Sequence, residues 1–245
     1  MQGMIFCAGL GTRLYPLTKD KPKALVCVNG ITLLELVINK FIKYNISPII
    51  INVHHFSKQI IDFIDNKKFD TQIIISDESQ ELLDTGGGLL KAYNDKLFNN
   101  KEDILLYNVD ILSDLDLNKV TDYHKRNKNL ATLCVKNRET KRYLLFDNDN
   151  NLCGRTNLNT SQTTITRNCN PLISLAFSGI HIITPQLIEE FEQKGKFSII
   201  EAYLSLSKSY NIKAFKEENT QWFDVGKLET LNSIQKKSNL FSIKI

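Results

Sequence analysis

An apolar run, Met4-Ile5-Phe6-Cys7, empties directly into Ala8-Gly9-Leu10-Gly11-Thr12-Arg13, and Lys23 follows ten residues after the arginine. No other stretch constrains the chain as strongly. A buried strand ending in a glycine-bearing loop lets backbone N–H groups turn toward a ligand at close range. Arg13 adds a planar fork matched to phosphate oxygens, and Lys23 adds a point charge. The combination describes a cradle for a triphosphate. Two other phosphate loops are excluded: the dinucleotide fingerprint G-x-G-x-x-G needs a glycine where Leu14 stands, and the Lys-Ser/Thr of a P-loop never follows Gly11. The plainer alternative for two glycines alone is a surface turn.

Downstream, the chain alternates between strand and helix periods. Strands are expected at residues 3–7, 48–53, 72–76, 104–108 and 131–136, and helices at 32–44, 57–66, 86–98 and 116–127. Such alternation predicts an α/β fold, doubly wound, with a mainly parallel, Rossmann-like sheet covered on both faces. Ligands of such sheets sit beyond the carboxyl ends of the strands, where both the Gly9 loop and Asp110 fall. After about residue 137 the pattern changes. A strand at 143–146 runs into Asp147-Asn-Asp-Asn-Asn151, a hairpin turn by composition. Residues 156–170, rich in Thr, Asn and Ser, read as a loop; 174–183 is strand-like, 197–208 helical, 212–215 a strand, and a last helix spans 228–237. No repeat or linker divides residues 1–245, so a single domain is expected, with halves 1–137 and 138–245.

A net charge of +4 over 245 residues is too mild to point to nucleic acid, and no recognition module accompanies it. No apolar run reaches the roughly 18–20 residues that span a bilayer, and no leader pattern opens the sequence, so a cytoplasmic protein without membrane contact is expected. The five cysteines are widely spaced without a C-x-x-C; Cys7 and Cys134 lie in apolar runs and read as reduced core residues.

Four further motifs bear on chemistry. In Tyr107-Asn108-Val109-Asp110 a hydrophobic strand delivers a carboxylate at its end, although an aspartate there is also a common turn residue. In Trp222-Phe223-Asp224-Val225-Gly226-Lys227 a second aspartate precedes a glycine and a helix start. Asp84-Thr85-Gly86-Gly87-Gly88 costs chain entropy unless something must approach the backbone closely. Gly179, inside a strand-like segment, suggests another close approach or a bulge. The adjacent His54 and His55 point to opposite faces of a strand and read as structural or acceptor-proximal rather than as a metal pair, and His124 reads as a solvated helix residue.

The full run G-x-G-T-R-x-x-P-x-T-x-x-x-P-K, Gly9 to Lys23, resembles the signature of the sugar-1-phosphate nucleotidylyltransferases. The other motifs occur in that family's order across residues 5 to 231. The resemblance implies transfer of a nucleotidyl group from an NTP to a sugar 1-phosphate, releasing pyrophosphate. It implies Arg13 and Lys23 as catalytic residues, and Asp110 and Asp224 as ligands of Mg²⁺. The nucleotide would lie against Ala8, Gly9, Gly11, Thr12, Arg13, Thr85, Gly86, Gly87 and Asn108. Gly179 and Lys227 would flank the sugar phosphate in the second half. Many relatives hold that phosphate with the lysine of a Glu-Lys-Pro segment, absent here; Lys136, Arg142, Arg155 and Lys227 are the substitutes on offer.

The triple glycine resembles the Glu-Thr-Gly-Gly-Gly form of N-acetylmuramate-1-phosphate uridylyltransferases, with Asp84 replacing the glutamate, and favours UTP with N-acetylmuramate 1-phosphate. The rivals are GTP with mannose or heptose 1-phosphate, and a CTP-dependent phosphocholine transfer, which would want an aromatic cage from Trp222 and Tyr143. A non-catalytic nucleotide-binding regulator is the alternative of another class. No hexapeptide repeats appear, so the C-terminal β-helix that some relatives carry is not expected within these residues.

Overall fold

β1 (Gln2–Phe6) is buried along its whole length, and its side chains divide between two cores: Met4 and Phe6 face one, Ile5 the other. Burial on both faces is why the run is continuously apolar rather than alternating. The computed structural model describes residues 1–236. A short hairpin, β2 (Cys27–Val28) and β3 (Ile31–Thr32), leads into α1 (Leu33–Lys43), whose N-terminus is capped by the Thr32 hydroxyl accepting from the Glu35 amide. β4 (Ile49–Val53), α2 (Ser57–Lys67), β5 (Ile73–Asp77), α3 (Asp84–Asn94) and β6 (Ile104–Asn108) follow. Strands β6, β1, β4 and β5 lie side by side, all parallel. α1 fills the core on one face and α3 the core on the other.

β7 (Ile111–Ser113), α4 (Leu117–Arg126) and β8 (Ala131–Lys136) come next, then a meander of β9 (Arg142–Phe146), β10 (Leu152–Asn157) and β11 (Gln162–Ile165). The long β12 (Ile173–Ile183) joins the two regions: residues 180–183 pair antiparallel with β6, and residues 173–175 pair antiparallel with β9. Its register against β8 shifts between Phe177 and His181, where Gly179 takes φ +77°. α5 (Pro185–Glu189), α6 (Ile199–Leu206), β13 (Ile212–Lys216), β14 (Trp222–Asp224) and α7 (Leu228–Lys236) complete the described chain.

The expected parallel core and the hairpin through Asp147 are both present. Several local expectations are corrected. The helix carrying the three glycines runs from Asp84 to Asn94 rather than over 86–98, so the glycines follow its first two residues. The segment expected as loop contains β11, because Thr163 and Thr164 pair across to β10. His124 is buried, not solvated: its Nδ1 lies 2.8 Å from the Thr132 hydroxyl as α4 packs onto β8. The expected end of the last helix at Lys237 lies outside the described residues. Cys7 and Cys134 are buried free thiols, whereas Cys153 and Cys169 form a disulfide tying β10 to the segment ahead of β12. Among the described residues no helix is long and apolar enough to cross a membrane.

Candidate active site

The glycine loop leaves the carboxyl end of β1. Gly11 takes φ +68°, a conformation natural to glycine, and starts a single 3-10 turn. The Leu14 amide and the Thr18 hydroxyl both donate to the Gly11 carbonyl, each at 2.9 Å. The loop therefore folds over Lys23: a Cβ on Gly9 would stand 3.5 Å from Lys23 Nζ. Among the described residues the amides of Gly9, Leu10 and Gly11 donate to no protein acceptor, which leaves them available to an anion.

Asp110 and Asp224 are brought together by a two-stranded clasp. β7, directly after Asp110, pairs antiparallel with β14, so that Asp224 stands opposite Ile111. The next amide, of Val225, donates to the Asp110 carbonyl at 2.9 Å. Lys40 braces the exit of β7 by donating to the Ser113 and Leu115 carbonyls, each at 2.9 Å, and its burial lowers its pKa to about 8. Gly226 leaves the space between the two carboxylates open. A Cβ there would lie 2.4 Å from an Asp110 oxygen, 3.0 Å from an Asp224 oxygen and 3.0 Å from Arg13 Nη2.

Lys23 Nζ sits 2.9 Å from Asp110 Oδ2, and both side chains are largely buried. Arg13 lies 3.7 Å from Asp110 and 3.5 Å from Asp224, with its side chain 58% exposed. Lys23 is therefore the buried partner of Asp110, while the contacts of Arg13 are solvent-screened. Two carboxylates converging on a gap that only glycine leaves open supply the hard oxygen donors that Mg²⁺ requires, and the residues present fit that ion.

Behind the loop lies a buried polar chain that sequence reasoning missed. The Cys7 amide donates to Asn52 Oδ1 at 2.7 Å, Asn52 Nδ2 donates to Glu78 Oε1 at 2.7 Å, and Glu78 also accepts from the Leu83 amide. Burial raises the Glu78 carboxyl above its ordinary pKa. His54 Nδ1 lies 2.6 Å from the Glu78 carbonyl, within the same structural network. No local motif announces this chain, since its members come from three separate strands or strand ends.

The triple glycine packs α3 against the segment before α6. A Cβ on Gly86 would meet the Phe197 ring at 2.2 Å, and one on Gly87 would meet the Gly195 carbonyl at 2.2 Å. The amides of both donate to the Phe197 carbonyl. Gly86 and Gly87 are thus buried, while Asp84 and Thr85 line a cavity of about 570 Å³ with Ala8, Gly9, Asn108 and Asp110. Arg13 and Lys23 border the same cavity. Asn108 is accommodated by the bulge in β12, because a Cβ on Gly179 would lie 2.8 Å from its Nδ2.

A neighbouring cavity of about 1010 Å³ is lined by Arg13, Asp224, Lys227, Arg138 and Arg142. A third, of about 370 Å³, lies over β9, β10 and β11 and is bordered by Arg138, Arg142 and Arg155. Arg142 lines all three. Of the expected substitutes, Lys136 is committed elsewhere, donating to the Thr220 carbonyl and hydroxyl. Arg138, not singled out from the sequence, stacks 4.0 Å from the centre of the Trp222 ring and donates to the Phe177 carbonyl. That stacking covers a face of the indole, whose N–H donates to the Ser178 carbonyl. The cluster Arg138, Lys141 and Arg142 was the available signal in the sequence.

Comparison with known proteins shows the family. The family model described as Nucleotidyl transferase matches residues 2–153. The chain is 30% identical over 233 residues to the bifunctional protein GlmU of Methanococcus aeolicus, covering 93% of this chain and 52% of that protein. It is 38% identical over 92 residues to the N-acetylmuramate alpha-1-phosphate uridylyltransferase of Caulobacter vibrioides, covering 36% of this chain and 38% of that one. The chain thus spans about half the length of the GlmU relative. UDP-glucose pyrophosphorylase from Acinetobacter baumanii shares the fold at a TM-score of 0.76 and 16% identity, covering 96% of this chain and 91% of that one. A phosphate-type loop on β1, an aspartate pair closed by a clasp and a family match over residues 2–153 lead to one conclusion: the chain belongs to the nucleotidyl transferase family.

Proposed function

We propose that the protein transfers a nucleotidyl group from an NTP to a sugar 1-phosphate, releasing pyrophosphate, and that UTP and N-acetylmuramate 1-phosphate are the physiological pair. The observation that carries the reading is the convergence of Asp110, Asp224, Lys23 and Arg13 around Gly226, beside a loop with unengaged amides. The uridylyl specificity rests on the triple-glycine helix start and on the name of the Caulobacter relative. The cytoplasm is the proposed site of action.

The loop amides and Arg13 hold the outer phosphates of the nucleotide. Lys23 stands where charge accumulates at the α-phosphate, and Asp84, Thr85 and Asn108 shape the nucleoside end of the cavity. An oxygen of the sugar phosphate attacks the α-phosphorus in line, opposite the departing pyrophosphate. No protein nucleophile is required, since the attacking group is already anionic, and catalysis is positioning plus charge stabilisation. Asp110 and Asp224 would hold Mg²⁺, which would supply neutralisation of phosphate oxygens.

Pyrophosphate release tests the reading. UTP, GTP, CTP and dTTP are crossed with N-acetylmuramate, mannose, heptose, glucose and N-acetylglucosamine 1-phosphates. Turnover with UTP and N-acetylmuramate 1-phosphate is expected. A GTP-dependent mannose or heptose reaction would replace the substrate pair, and nucleotide binding without any release would replace the reaction.

A further inference from the structure

The acceptor side carries more positive charge than one phosphate needs. The anomeric phosphate of any acceptor must sit beside Asp110 and Asp224, where Arg13, Lys23 and Arg142 already border the two adjoining cavities. Arg155 does not border either of them; it lines the outer cavity of about 370 Å³. It is therefore a cation left over once the reacting phosphate is accounted for.

Strand register fixes where Arg155 stands. On β10 it lies opposite Leu144 of β9 and Thr164 of β11. Arg142 precedes Leu144 by two residues, so Arg142 and Arg155 share one face of the meander. Asn157 and Gln162 occupy the same face, opposite Arg142 and each other respectively. The result is a mixed floor, with Leu144 between polar side chains and two arginines, walled in part by Phe177 and Ile200. Among the described residues neither arginine side chain has a carboxylate partner, and no carboxylate lines this cavity. Unpaired guanidinium groups gathered over a concave floor favour an anionic occupant and supply the forked geometry to bind it.

We propose that the acceptor carries a second anionic group, remote from its anomeric phosphate, and that Arg155 reads it. Its class is an acidic sugar 1-phosphate, with a carboxylate or a second phosphate as the added charge. Arg155 is then a specificity-determining residue and Arg142 bridges the sugar to its phosphate. The inference rests on the proposed transfer reaction.

The test compares acceptors that differ only in the added charge. N-acetylmuramate 1-phosphate is set against N-acetylglucosamine 1-phosphate for a carboxylate, and glucose 1,6-bisphosphate against glucose 1-phosphate for a phosphate. Each is measured with the wild-type chain, Arg155→Gln and Arg155→Lys, by kcat/KM and by calorimetric binding. In at least one pair the anionic acceptor should be favoured by more than about tenfold, with the ratio collapsing to about twofold in Arg155→Gln and partly restored in Arg155→Lys. The pair showing the effect identifies the anion. Turnover without preference, or an equal ratio in Arg155→Gln, overturns the inference and leaves the reaction standing. Preferential binding of the anionic acceptor without turnover supports the inference and refutes the reaction. Binding of neither member of either pair overturns the inference.

Discussion

Val225 donates its amide to the carbonyl of Asp110 at 2.9 Å, and that one bond sets Asp224 beside a carboxylate far away in the sequence. The pairing of β14 with β7, rather than either motif alone, makes the aspartates a pair. Asp110→Asn keeps the shape of the side chain and removes half of the proposed cation site. Turnover should fall at least about a hundredfold with the fold retained. Pyrophosphate release beside a circular dichroism spectrum checks this, and wild-type turnover in a folded Asp110→Asn protein would remove the metal assignment.

Lys23→Ala acts on two levels. It removes the cation proposed to stand at the α-phosphate and leaves the buried Asp110 without its near partner. The loss should appear in kcat, by about a hundredfold or more, because the contact strengthens as charge develops. Steady-state kinetics separates this from a binding defect, for which KM alone would rise.

Gly226→Ala tests the gap between the carboxylates. The added methyl would stand 2.4 Å from Asp110 Oδ2 and must push the two acids apart. Mg²⁺-dependent activity should drop at least about tenfold, with a stability cost of about 1–3 kcal/mol from overpacking. A Mg²⁺ titration of activity, run with a urea unfolding curve, reads both; an unchanged Mg²⁺ requirement would show that the gap is not used.

His181 gives the fold a pH signature. It is buried on β12 with Nδ1 2.6 Å from the Tyr203 hydroxyl, and burial lowers its pKa to about 3. An unfolded chain takes up this proton near pH 6.5, whereas the folded one refuses it until far lower pH. Its contribution is complete above about pH 6.5 and is lost as pH falls toward 3, at about 1.4 kcal/mol per unit. Urea midpoints at neutral and mildly acidic pH should fall more steeply for the wild type than for His181→Gln. Parallel slopes would contradict the burial account.

The disulfide makes stability sensitive to reductant. Cys153 and Cys169 close a loop with a sequence separation of 16, for which chain entropy predicts up to about 3 kcal/mol. Dithiothreitol should lower the unfolding temperature of the wild type and leave a Cys153→Ser, Cys169→Ser double variant unmoved. Equal melting of both proteins with and without reductant would mean that the bond contributes nothing.

The parallel half was legible because its strands are buried on both faces and its helices carry one apolar stripe, so period alone separates them. The loop from Gly9 to Lys23 was legible because all its parts are contiguous. Exposed, largely polar β11 was not: its threonines pair only because β10 lies beside them, and a register of that kind leaves no mark in one strand. Asn52 and Glu78 were invisible for the same reason, each becoming a partner only when β4 and the end of β5 align. The triple glycine signals a close approach in the sequence, and Phe197 and the Gly195 carbonyl are what come close.

The clasp also sets an order of events in synthesis. A ribosome delivers β1, the glycine loop and Asp110 early, and the parallel strands can pair as they emerge. Trp222, Phe223 and Asp224 arrive more than a hundred residues later and complete the aspartate pair only then. A growing chain therefore lacks the aspartate pair until β14 docks, and a protease that cuts ahead of Trp222 would part the two carboxylates without touching the parallel sheet.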